Sequence, residues 1–421
     1  MRAHTEHSDI LIVGGGAVGL CAAYFLHKKG CQVTILEKGV PGGGSSYGNA
    51  GLVVPSHFVP LAAPGVISQG LKWIWNPESP FYIKPRFDLA LFDWLWKFRA
   101  ACNAAHVQRS STLLRDLNLG GKRLYEQFSQ QAGFNFGFTP KGLMILFRSP
   151  AGAHECGEMA AAAGDLGLSA RIVSNEEIAQ IDPALHSRAQ GAVYFQDDAH
   201  LDPAAFNRAM HAYLETAGVA VQSGCEVLGF QKSGRKITAV KTSRGDYSAG
   251  EILLAGGAWT AGIARQLGLK LPMQAGKGYS ITLPYPDAKP SIPLILEEAR
   301  VAVTPLGDRL RLAGTLELSG LDASINHRRV KAILRALSAY IDLPRPINPD
   351  QAEIWAGLRP CTPDGLPYLG HTARYDNLSV AAGHAMIGMS TAPSSGKLIS
   401  EVIVGEEPFL DISLLDVDRY V

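Results

Sequence analysis

The feature that most constrains this chain is a glycine-rich turn between an apolar strand and a helix close to its N-terminus. The run Asp9–Val13 predicts a strand buried on both faces, and Gly14–Gly19 follows it with the spacing Gly-x-Gly-x-x-Gly. A helix is predicted over Leu20–Lys29 and a second strand over Gln32–Glu37. This order predicts a βαβ unit with a right-handed crossover, and therefore an α/β domain built around a parallel sheet.

Each glycine of this turn has its own physical task in a dinucleotide site. Gly14 permits the tight turn, Gly16 lets the backbone approach a pyrophosphate, and Gly19 lets the helix pack closely on the strand. The free N–H groups at the helix N-terminus attract the phosphates. Glu37 lies 18 residues after Gly19, where its carboxylate would accept hydrogen bonds from ribose hydroxyls and repel a 2′-phosphate. The pattern therefore predicts a dinucleotide other than NADP.

Composition narrows the class of protein further. With 421 residues, 47% of them hydrophobic and 18% charged, the chain has the material for a large globular core. A net charge of +1 argues against nucleic-acid binding through a basic surface. The six cysteines form no CxxC pair, which argues against a metal site and favours reduced thiols in the cytoplasm. We find no signal-peptide pattern and no uncharged apolar run of about 18 residues, so neither secretion nor a spanning helix is expected.

The residues that follow Glu37 distinguish FAD from NAD. Lys38–Ser46 is a second glycine-rich loop, and a domain for NAD alone would usually continue into another helix here. Such a loop suits a cofactor that extends further across the protein, a plain surface loop being the alternative. Leu253–Trp259 predicts another strand that ends on paired glycines beside the nucleotide. Ala382–Gly388 would present backbone N–H groups before a helix, where they stabilise negative charge on a reduced flavin.

Short motifs spread over nearly the whole chain carry a family resemblance. They are Gly48–Gly51, Ala62–Val66, Leu71–Trp73, Lys277–Thr282, Trp355–Gly365, Ala382–Gly388 and Ser394–Gly396. Together they resemble the D-amino-acid oxidase superfamily of FAD-dependent oxidoreductases. Within it, the chain is most similar to the bacterial D-amino-acid dehydrogenase small subunits and D-hydroxyproline dehydrogenases.

The resemblance implies a fold of mixed α/β and α+β class. A Rossmann-like FAD-binding domain of the glutathione-reductase type would carry an inserted substrate domain with an antiparallel sheet. We predict the FAD-binding domain over residues 1–80, 200–268 and 353–421, and the substrate domain over residues 81–199 and 269–352. Some members of the superfamily attach their flavin to a cysteine, but Cys361 does not align with it. Non-covalent FAD is therefore expected.

The resemblance also implies a reaction. A D-amino acid would be oxidised by hydride transfer from Cα to flavin N5, giving an imino acid, with the electrons passing to a quinone or respiratory acceptor. A cis-4-hydroxy-D-proline or D-proline dehydrogenase is a narrower alternative, because Tyr47–Phe58 departs from the D-alanine type. An oxidase of the glycine or sarcosine oxidase type, using O₂, is another. A non-catalytic dinucleotide sensor is the rival from a different class, and RNA modification is disfavoured by the net charge of +1.

Five side chains are the candidates for substrate chemistry. A substrate carboxylate in a buried pocket needs a positive partner, and Arg359 is the best candidate for a bidentate pair. Tyr279 would add a hydroxyl to the same carboxylate, and Lys277 would face either the flavin or solvent. His384 in the glycine turn would lie near the flavin or substrate, or serve only through its backbone. His57 replaces an aromatic residue of the relatives, and would either influence substrate choice or lie on the surface.

The predicted cofactor contacts come from all three segments of the FAD-binding domain. They are Gly14, Gly16, Ala17, Val18, Gly19, Glu37, Lys38, Ser45, Ser46, Asn49, Ala50, Gly51, Val227, Ala255, Gly256, Trp259, Gly383, Met386, Ile387 and Gly388. A tryptophan-rich stretch over residues 71–98 leaves two alternatives open. Exposed, it would contact a membrane or a quinone-linked partner at the inner face of the membrane. Buried, it would pack between the domains.

Overall fold

The structure is a computed structural model that describes residues 6–73 and 79–421. Its helices are α1 (Ala17–Lys28), α2 (Val66–Trp73), α3 (Leu89–Ala101), α4 (Ala104–Ser129), α5 (Pro150–Asp165), α6 (Asn175–Ile181), α7 (Pro203–Thr216), α8 (Thr260–Gln266), α9 (His327–Tyr340) and α10 (Gly388–Val404).

The strands of the first half are β1 (Glu6–Val13), β2 (Val33–Glu37), β3 (Leu52–Val53), β4 (Phe81–Ile83), β5 (Leu143–Phe147), β6 (Ala170–Ser174), β7 (His186–Ser187), β8 (Gly191–Phe195) and β9 (Ala199–His200). Those of the second half are β10 (Ala220–Ser223), β11 (Val227–Ser233), β12 (Lys236–Thr242), β13 (Gly245–Leu254), β14 (Gln274–Pro284), β15 (Leu294–Leu296), β16 (Val301–Leu306), β17 (Arg309–Leu318), β18 (Ile341–Asp342), β19 (Glu353–Cys361), β20 (Tyr368–His371) and β21 (Leu378–Ala382).

The first sheet contains the predicted βαβ unit. Its strands run in the order β10-β2-β1-β13-β12-β11, and β21 pairs with the far end of β13 and with β20. Strands β10, β2, β1, β13 and β21 are parallel, as expected for apolar strands that helices cover. Because parallel strands end at the same edge, the turns after β1, β2 and β13 meet there, which is where a dinucleotide binds in such sheets.

The second sheet is mostly antiparallel. Its order is β19-β14-β17-β16-β15-β5-β8-β6, with β4 added beside β17. Helix α9 covers one face, where Val330 and Ile333 pack against Tyr279 and Ile281. The opposite face of β14 carries Gly276 and Gly278, and the side chains of Leu316 and Arg359 lie above them. A parallel FAD-type sheet with a second, antiparallel sheet confirms the predicted fold class.

The strand β19 changes one predicted boundary. We placed residues 353–421 in the FAD-binding domain, yet Glu353–Cys361 hydrogen-bonds to β14 along its whole length in the second sheet. The alternating pattern of a strand does not reveal which sheet it joins, because its partner lies about 80 residues away in sequence. We therefore propose that the last FAD-binding segment starts after Cys361.

The core of the first domain lies between helices. Helices α1 and α10 pack directly on each other, and a Cβ at Gly396 would lie 2.6 Å from Cys21 Cβ. This close crossing explains the Ser-Ser-Gly sequence in α10. Among the described residues, no helix is long and apolar enough to cross a membrane, and no group of three or more His, Cys, Asp or Glu side chains is arranged to hold a metal.

Candidate functional site

The turn after β1 has the geometry of a dinucleotide-binding loop. Gly14 has a φ of +114°, and a Cβ there would lie 2.6 Å from the carbonyl oxygen of Ala255. A Cβ at Gly19 would lie 2.0 Å from the carbonyl oxygen of Gly14. At Gly16 a Cβ would meet only Ser46 Oγ, at 3.6 Å. The turn is therefore closed towards the sheet and open above Gly16, where a pyrophosphate would approach.

Polar groups at this turn fit the two ends of a dinucleotide. Glu37 accepts hydrogen bonds from the N–H groups of Gly15 and Gly39, both at 2.8 Å, which holds its carboxylate at the rim. Ala17 N–H donates to Ser46 Oγ at 3.1 Å, and α1 has no side-chain cap from its own N-cap residue. The start of the helix thus keeps donors for phosphate oxygens.

Two neighbouring segments complete the rim of the predicted dinucleotide site. Ala255 N–H donates to Val13 O at 2.8 Å, which brings the Ala255-Gly256 turn beside Gly14. Cys225 N–H donates to Glu37 O at 2.8 Å, so the start of β11 with Val227 follows the end of β2. Val227 is partly buried on this side of the first sheet. These contacts arise from distant parts of the chain, as the three-segment prediction requires.

The second glycine-rich loop links the two sheets. Ser45 Oγ donates to Leu358 O at 2.7 Å and accepts from Leu358 N–H at 3.2 Å, which ties the loop to β19. Lys38 Nζ lies 3.7 Å from the centre of the Trp259 ring. Trp259 packs in a cluster with Leu358, so the loop, the strand and the ring border one space. An extended cofactor would run along this path.

The residues Tyr47–Asn49 are held by a buried arginine that sequence reasoning missed. Arg311 is 1% exposed and donates through Nη1 to Asn49 O at 2.7 Å and to Tyr47 O at 3.3 Å. Its Nε donates to Thr282 Oγ1 at 2.9 Å. Arg311 thus fixes the loop next to Ala50 and Gly51 on the second sheet. Its strand pattern alone gives no sign of this role.

The loop before α10 lies against the end of β19. Ala385 N–H donates to Pro360 O at 3.0 Å, and the backbones of Cys361 and His384 form an isolated antiparallel β-bridge. Gly383 and Ala385 both have positive φ, which turns the chain sharply into the helix. Ile387 is the N-cap residue, its own N–H donates to His384 O at 3.1 Å, and no side chain caps the helix, so the N–H groups of Met386 and Gly388 remain for a ligand.

His384 itself is a buried residue in this loop. It is 3% exposed, and its Nε2 lies 3.0 Å from Ser395 Oγ on α10. Burial lowers the pKa of His384 to about 4, so the imidazole is neutral at physiological pH. This contact ties the loop to α10 and favours the structural alternative for the side chain.

Arg359 on β19 is a partly buried cation without an anion. Its Nη1 donates to Thr315 O at 2.8 Å, and a Cβ at Gly278 would lie 2.1 Å from the same nitrogen. No carboxylate of the described residues pairs with Arg359. Burial lowers the pKa of its guanidinium, yet an arginine remains charged in proteins. A charge in this position calls for an anionic ligand.

Thr315 is a second residue that sequence reasoning missed. It lies in an irregularity of the β14–β17 pairing between Lys277 and Tyr279, and its φ of +68° is rare for a β-branched residue. This bulge turns its carbonyl towards Arg359, while Thr315 Oγ1 has no hydrogen-bond partner. Backbone strain of this kind often marks a functional site.

Lys277 and Tyr279 point away from Arg359. Successive residues of a strand alternate in direction, and Gly278 between them faces the arginine. Lys277 is 3% exposed, donates to Ser324 O at 2.9 Å and lies 3.6 Å from a Glu317 oxygen. Tyr279 Oη accepts from the N–H of residue 326 at 3.3 Å beside α9. The prediction that Tyr279 shares the substrate carboxylate does not fit this geometry, and Lys277 faces neither solvent nor Arg359.

His57 lies in the segment that leaves the FAD-binding sheet after β3. Its Nδ1 lies 3.1 Å from Ser56 Oγ, and its side chain is partly exposed. Burial lowers the pKa of His57 to about 4. The residue is therefore a neutral imidazole in a recess of the protein.

A dinucleotide turn and an extended glycine-rich loop beside a second sheet together define a dinucleotide-binding protein built on two sheets. The family model described as FAD dependent oxidoreductase, or DAO, matches residues 9–402. The chain belongs to this family, which confirms the resemblance and the FAD cofactor.

The comparisons extend over the whole chain. The D-amino acid dehydrogenase of Methylobacterium nodulans is 32% identical over 425 residues, covering 98% of this chain and 99% of the relative. That of Neisseria meningitidis is 30% identical over 418 residues, with the same coverage. Glycine oxidase from Geobacillus kaustophilus superposes with a TM-score of 0.79 at 23% identity, over 99% of this chain and 100% of that chain. L-proline dehydrogenase from P. horikoshii superposes with a TM-score of 0.73 at 20% identity, over 99% and 98%. These structures share the fold.

Proposed function

We propose that this enzyme dehydrogenates a D-amino acid, with hydride transfer from Cα to flavin N5 and release of an imino acid. The observation that carries the proposal is the partly buried, unpaired guanidinium of Arg359 beside the FAD loops. Relatives named D-amino acid dehydrogenase, 30% to 32% identical over nearly the whole chain, support it.

The second sheet supplies the substrate's position. Arg359 binds the carboxylate, and Gly278 of β14 leaves room for its guanidinium, since a Cβ there would lie 2.1 Å from Arg359 Nη1. The Thr315 carbonyl holds the guanidinium in one orientation. The loops from Gly16 to the one before α10 would hold FAD, which when bound would supply the two-electron acceptor. Fixed orientation of Cα is the main contribution of the protein in such a reaction.

The narrower proposal is a cyclic substrate, cis-4-hydroxy-D-proline or D-proline. It is supported by Tyr47–Phe58, whose sequence departs from the D-alanine type. A secondary amine would leave as a cyclic imine. The wider class of D-amino acids and the O₂-using oxidase stay as alternatives, since electron acceptor and side-chain preference depend on details around the flavin.

The experiment is anaerobic bleaching of the visible band of the bound flavin. The panel contains D-alanine, D-proline, cis-4-hydroxy-D-proline, glycine, sarcosine and the L-enantiomers. Rapid bleaching by one D-amino or D-imino acid would establish the activity and its substrate, and reoxidation in air would then separate an oxidase from a dehydrogenase. If dithionite bleaches the flavin but no amino acid does, the protein is a sensor instead.

The flavin is expected to leave the protein on acid precipitation, because it is bound non-covalently. Cys361 is 0% exposed, and burial raises the pKa of its thiol to about 11, so the thiolate needed for attachment is scarce at neutral pH. The measurement is flavin absorbance in the supernatant and in the washed pellet. Yellow colour that stays with the pellet would contradict the prediction.

An exposed apolar face lies on α3. Leu89, Phe92 and Trp96 follow one helix face and are 73%, 51% and 72% exposed, and the ring of Phe87 lies 6.1 Å from that of Phe92. By contrast, Trp94 is buried and donates to a backbone carbonyl of β19. The tryptophan-rich stretch thus has an exposed part and a buried part, while Trp75 lies outside the described residues.

We propose that this apolar face binds an anionic bilayer at the cytoplasmic side, where a quinone acceptor would be reached. Residues 84–109 carry five basic and two acidic side chains, which suits anionic lipid. The double variant Phe92→Ser, Trp96→Ser is expected to bind vesicles of phosphatidylglycerol and phosphatidylcholine about 10- to 100-fold more weakly, since two aromatic side chains lose their burial. Cosedimentation measures this. Leu228→Ser, equally exposed on β11, is the control, and equal loss in both proteins would contradict the assignment.

A further inference from the structure

A chain of hydrogen bonds joins Asp198, Ser56 and His57 outside the FAD-binding residues. Ser56 donates to both oxygens of Asp198, through its N–H at 3.0 Å and its hydroxyl at 2.5 Å. His57 Nδ1 lies 3.1 Å from the same hydroxyl oxygen. Asp198 is 0% exposed, in the turn between β8 and β9. A buried carboxylate is thus connected to a histidine through one serine hydroxyl.

The number of protons on Asp198, Ser56 and His57 fixes the direction of the hydrogen bonds between them. Ionised Asp198 can only accept, so Ser56 gives it the single hydroxyl proton. The Ser56 oxygen then accepts from the Nδ1–H of His57, which leaves a lone pair on Nε2. That nitrogen has no hydrogen-bond partner in the part of the chain that the structure describes, and the ring is partly exposed. His57 therefore offers an acceptor to the space in front of it.

The segment that carries His57 borders the Arg359 side of the second sheet. At one end, Val54 N–H donates to Ser390 Oγ in the first turn of α10 at 2.9 Å. At the other end, Leu61 packs in one apolar cluster with Ala385. The segment therefore runs from the first turn of α10 to the loop before that helix, and this loop already lies against the strand of Arg359.

We propose that His57 Nε2 accepts the proton of the substrate ammonium group, and that Ser56 and Asp198 form the relay that carries this proton away. The inference rests on the proposed function. As Nε2 gains the proton, Nδ1 gives its own to Ser56 Oγ, and Ser56 gives its hydroxyl proton to the carboxylate of Asp198. No electrons move in this step. Ammonium and carboxylate become amine and carboxylic acid, and the amine now has the lone pair that departure of a hydride from Cα requires.

The acidities of the two ends agree with this direction. Burial raises the pKa of Asp198 to about 7, against the two hydrogen bonds from Ser56, which lower it. Asp197 of the same turn raises this pKa further and Lys122 of α4 lowers it. Burial lowers the pKa of His57 to about 4, so the proton rests on Asp198 and not on the imidazole. Below pH 7 the carboxyl is already protonated and the relay is closed. Above pH 7 it is ionised, and the relay can accept a proton.

The test compares four variants of the FAD-loaded enzyme. His57→Asn is expected to lower the anaerobic rate constant of flavin reduction on the order of 10²-fold, the usual loss for a positioned base. Asp198→Asn and Ser56→Ala should remove the rise of this rate near pH 7 and leave only a rise at the higher pKa of the free substrate amine. Asp197→Asn is the matched control, because Asp197 lies in the same turn and accepts from the N–H of residue 169. Since Asp197 raises the pKa of Asp198, this variant should keep the rise of the rate and move it to lower pH.

A second readout separates a relay from a structural effect. Cyclopentanecarboxylate, which has a carboxylate and no amine, should perturb the flavin spectrum with the same Kd in all four variants, since Arg359 is intact. Unchanged reduction by His57→Asn would overturn the proposal. Equal pH profiles for Asp198→Asn and Asp197→Asn would overturn the relay. Failure of the proposed function shows itself earlier, in the wild-type protein, as a flavin that no amino acid reduces.

Discussion

Replacing Arg359 by alanine is expected to lower kcat/KM for the amino-acid substrate on the order of 10² to 10³-fold while FAD stays bound. A carboxylate that enters a buried site and loses its only cation typically costs about 3–5 kcal/mol. Arg359 is the cation of this site, since Lys277 is engaged on the other face of the sheet. Stopped-flow flavin reduction measures the loss.

The same variant is expected to keep its thermal stability. Because Arg359 pairs with no carboxylate of the described residues, its removal leaves no buried acid without a partner. The melting temperature should therefore match that of the parent within a few degrees, and flavin absorbance should be unchanged. Arg345→Ala, a change at a half-exposed arginine paired with Asp287, is the control for loss of a guanidinium. Near-normal kinetics in the Arg359 variant would refute its role as the carboxylate partner.

The nucleotide turn was predictable because its chemistry is local. Gly14 to Gly19 act through contacts inside one βαβ unit, and the spacing in sequence is the spacing in space. Glu37 and the loop up to Ser46 lie on the same unit, and both contact the turn. Such signals need no knowledge of which distant segments pair.

The substrate side depends on strand register, which sequence alone does not supply. Gly276 pairs with Arg359 and Gly278 pairs with Gly357, so these glycines share the face of the sheet that contains Arg359. Tyr279 is the next residue of the strand and therefore points to the opposite face. A one-residue offset moves a side chain to the opposite face of a sheet. The alternation of glycine with larger residues in Lys277–Tyr279 was a usable signal, since glycines often mark a strand that a ligand approaches closely.

Other contributors come from long-range contacts with no local pattern. Thr315 acts through a backbone carbonyl at a bulge, and any residue type has such a carbonyl. Arg311 looks like an ordinary strand residue until its loop contacts are known. Asp198 and Ser56 lie 142 positions apart, so their hydrogen bonds depend on how β3 and β9 pair. Only the folded chain brings them together.

Gly19→Ala is the second change with a large expected effect, and it tests the cofactor turn directly. In an ordinary helix this substitution stabilises by about 0.5–1 kcal/mol, because alanine restricts the unfolded chain. Gly19 lies in α1, but a Cβ there would lie 2.0 Å from the carbonyl oxygen of Gly14. Neither atom is the end of a flexible side chain. The helix must therefore move away from the strand, and the donors that face the pyrophosphate move with it.

This displacement should weaken FAD binding by about 10- to 10²-fold, the range that corresponds to an overpacking cost of about 1–3 kcal/mol. Titration of apoprotein with FAD gives the Kd, and the purified variant should contain less than a full equivalent of flavin. Gly157→Ala in the middle of α5 is the matched control, because no atom lies within 4 Å of a Cβ at that helical position. Helix propensity alone predicts the same gain in stability for both variants. A loss of FAD in Gly19→Ala alone would therefore be due to the contact with the Gly14 carbonyl. Full FAD content in that variant would mean that helix and strand do not need to approach this closely to hold the cofactor.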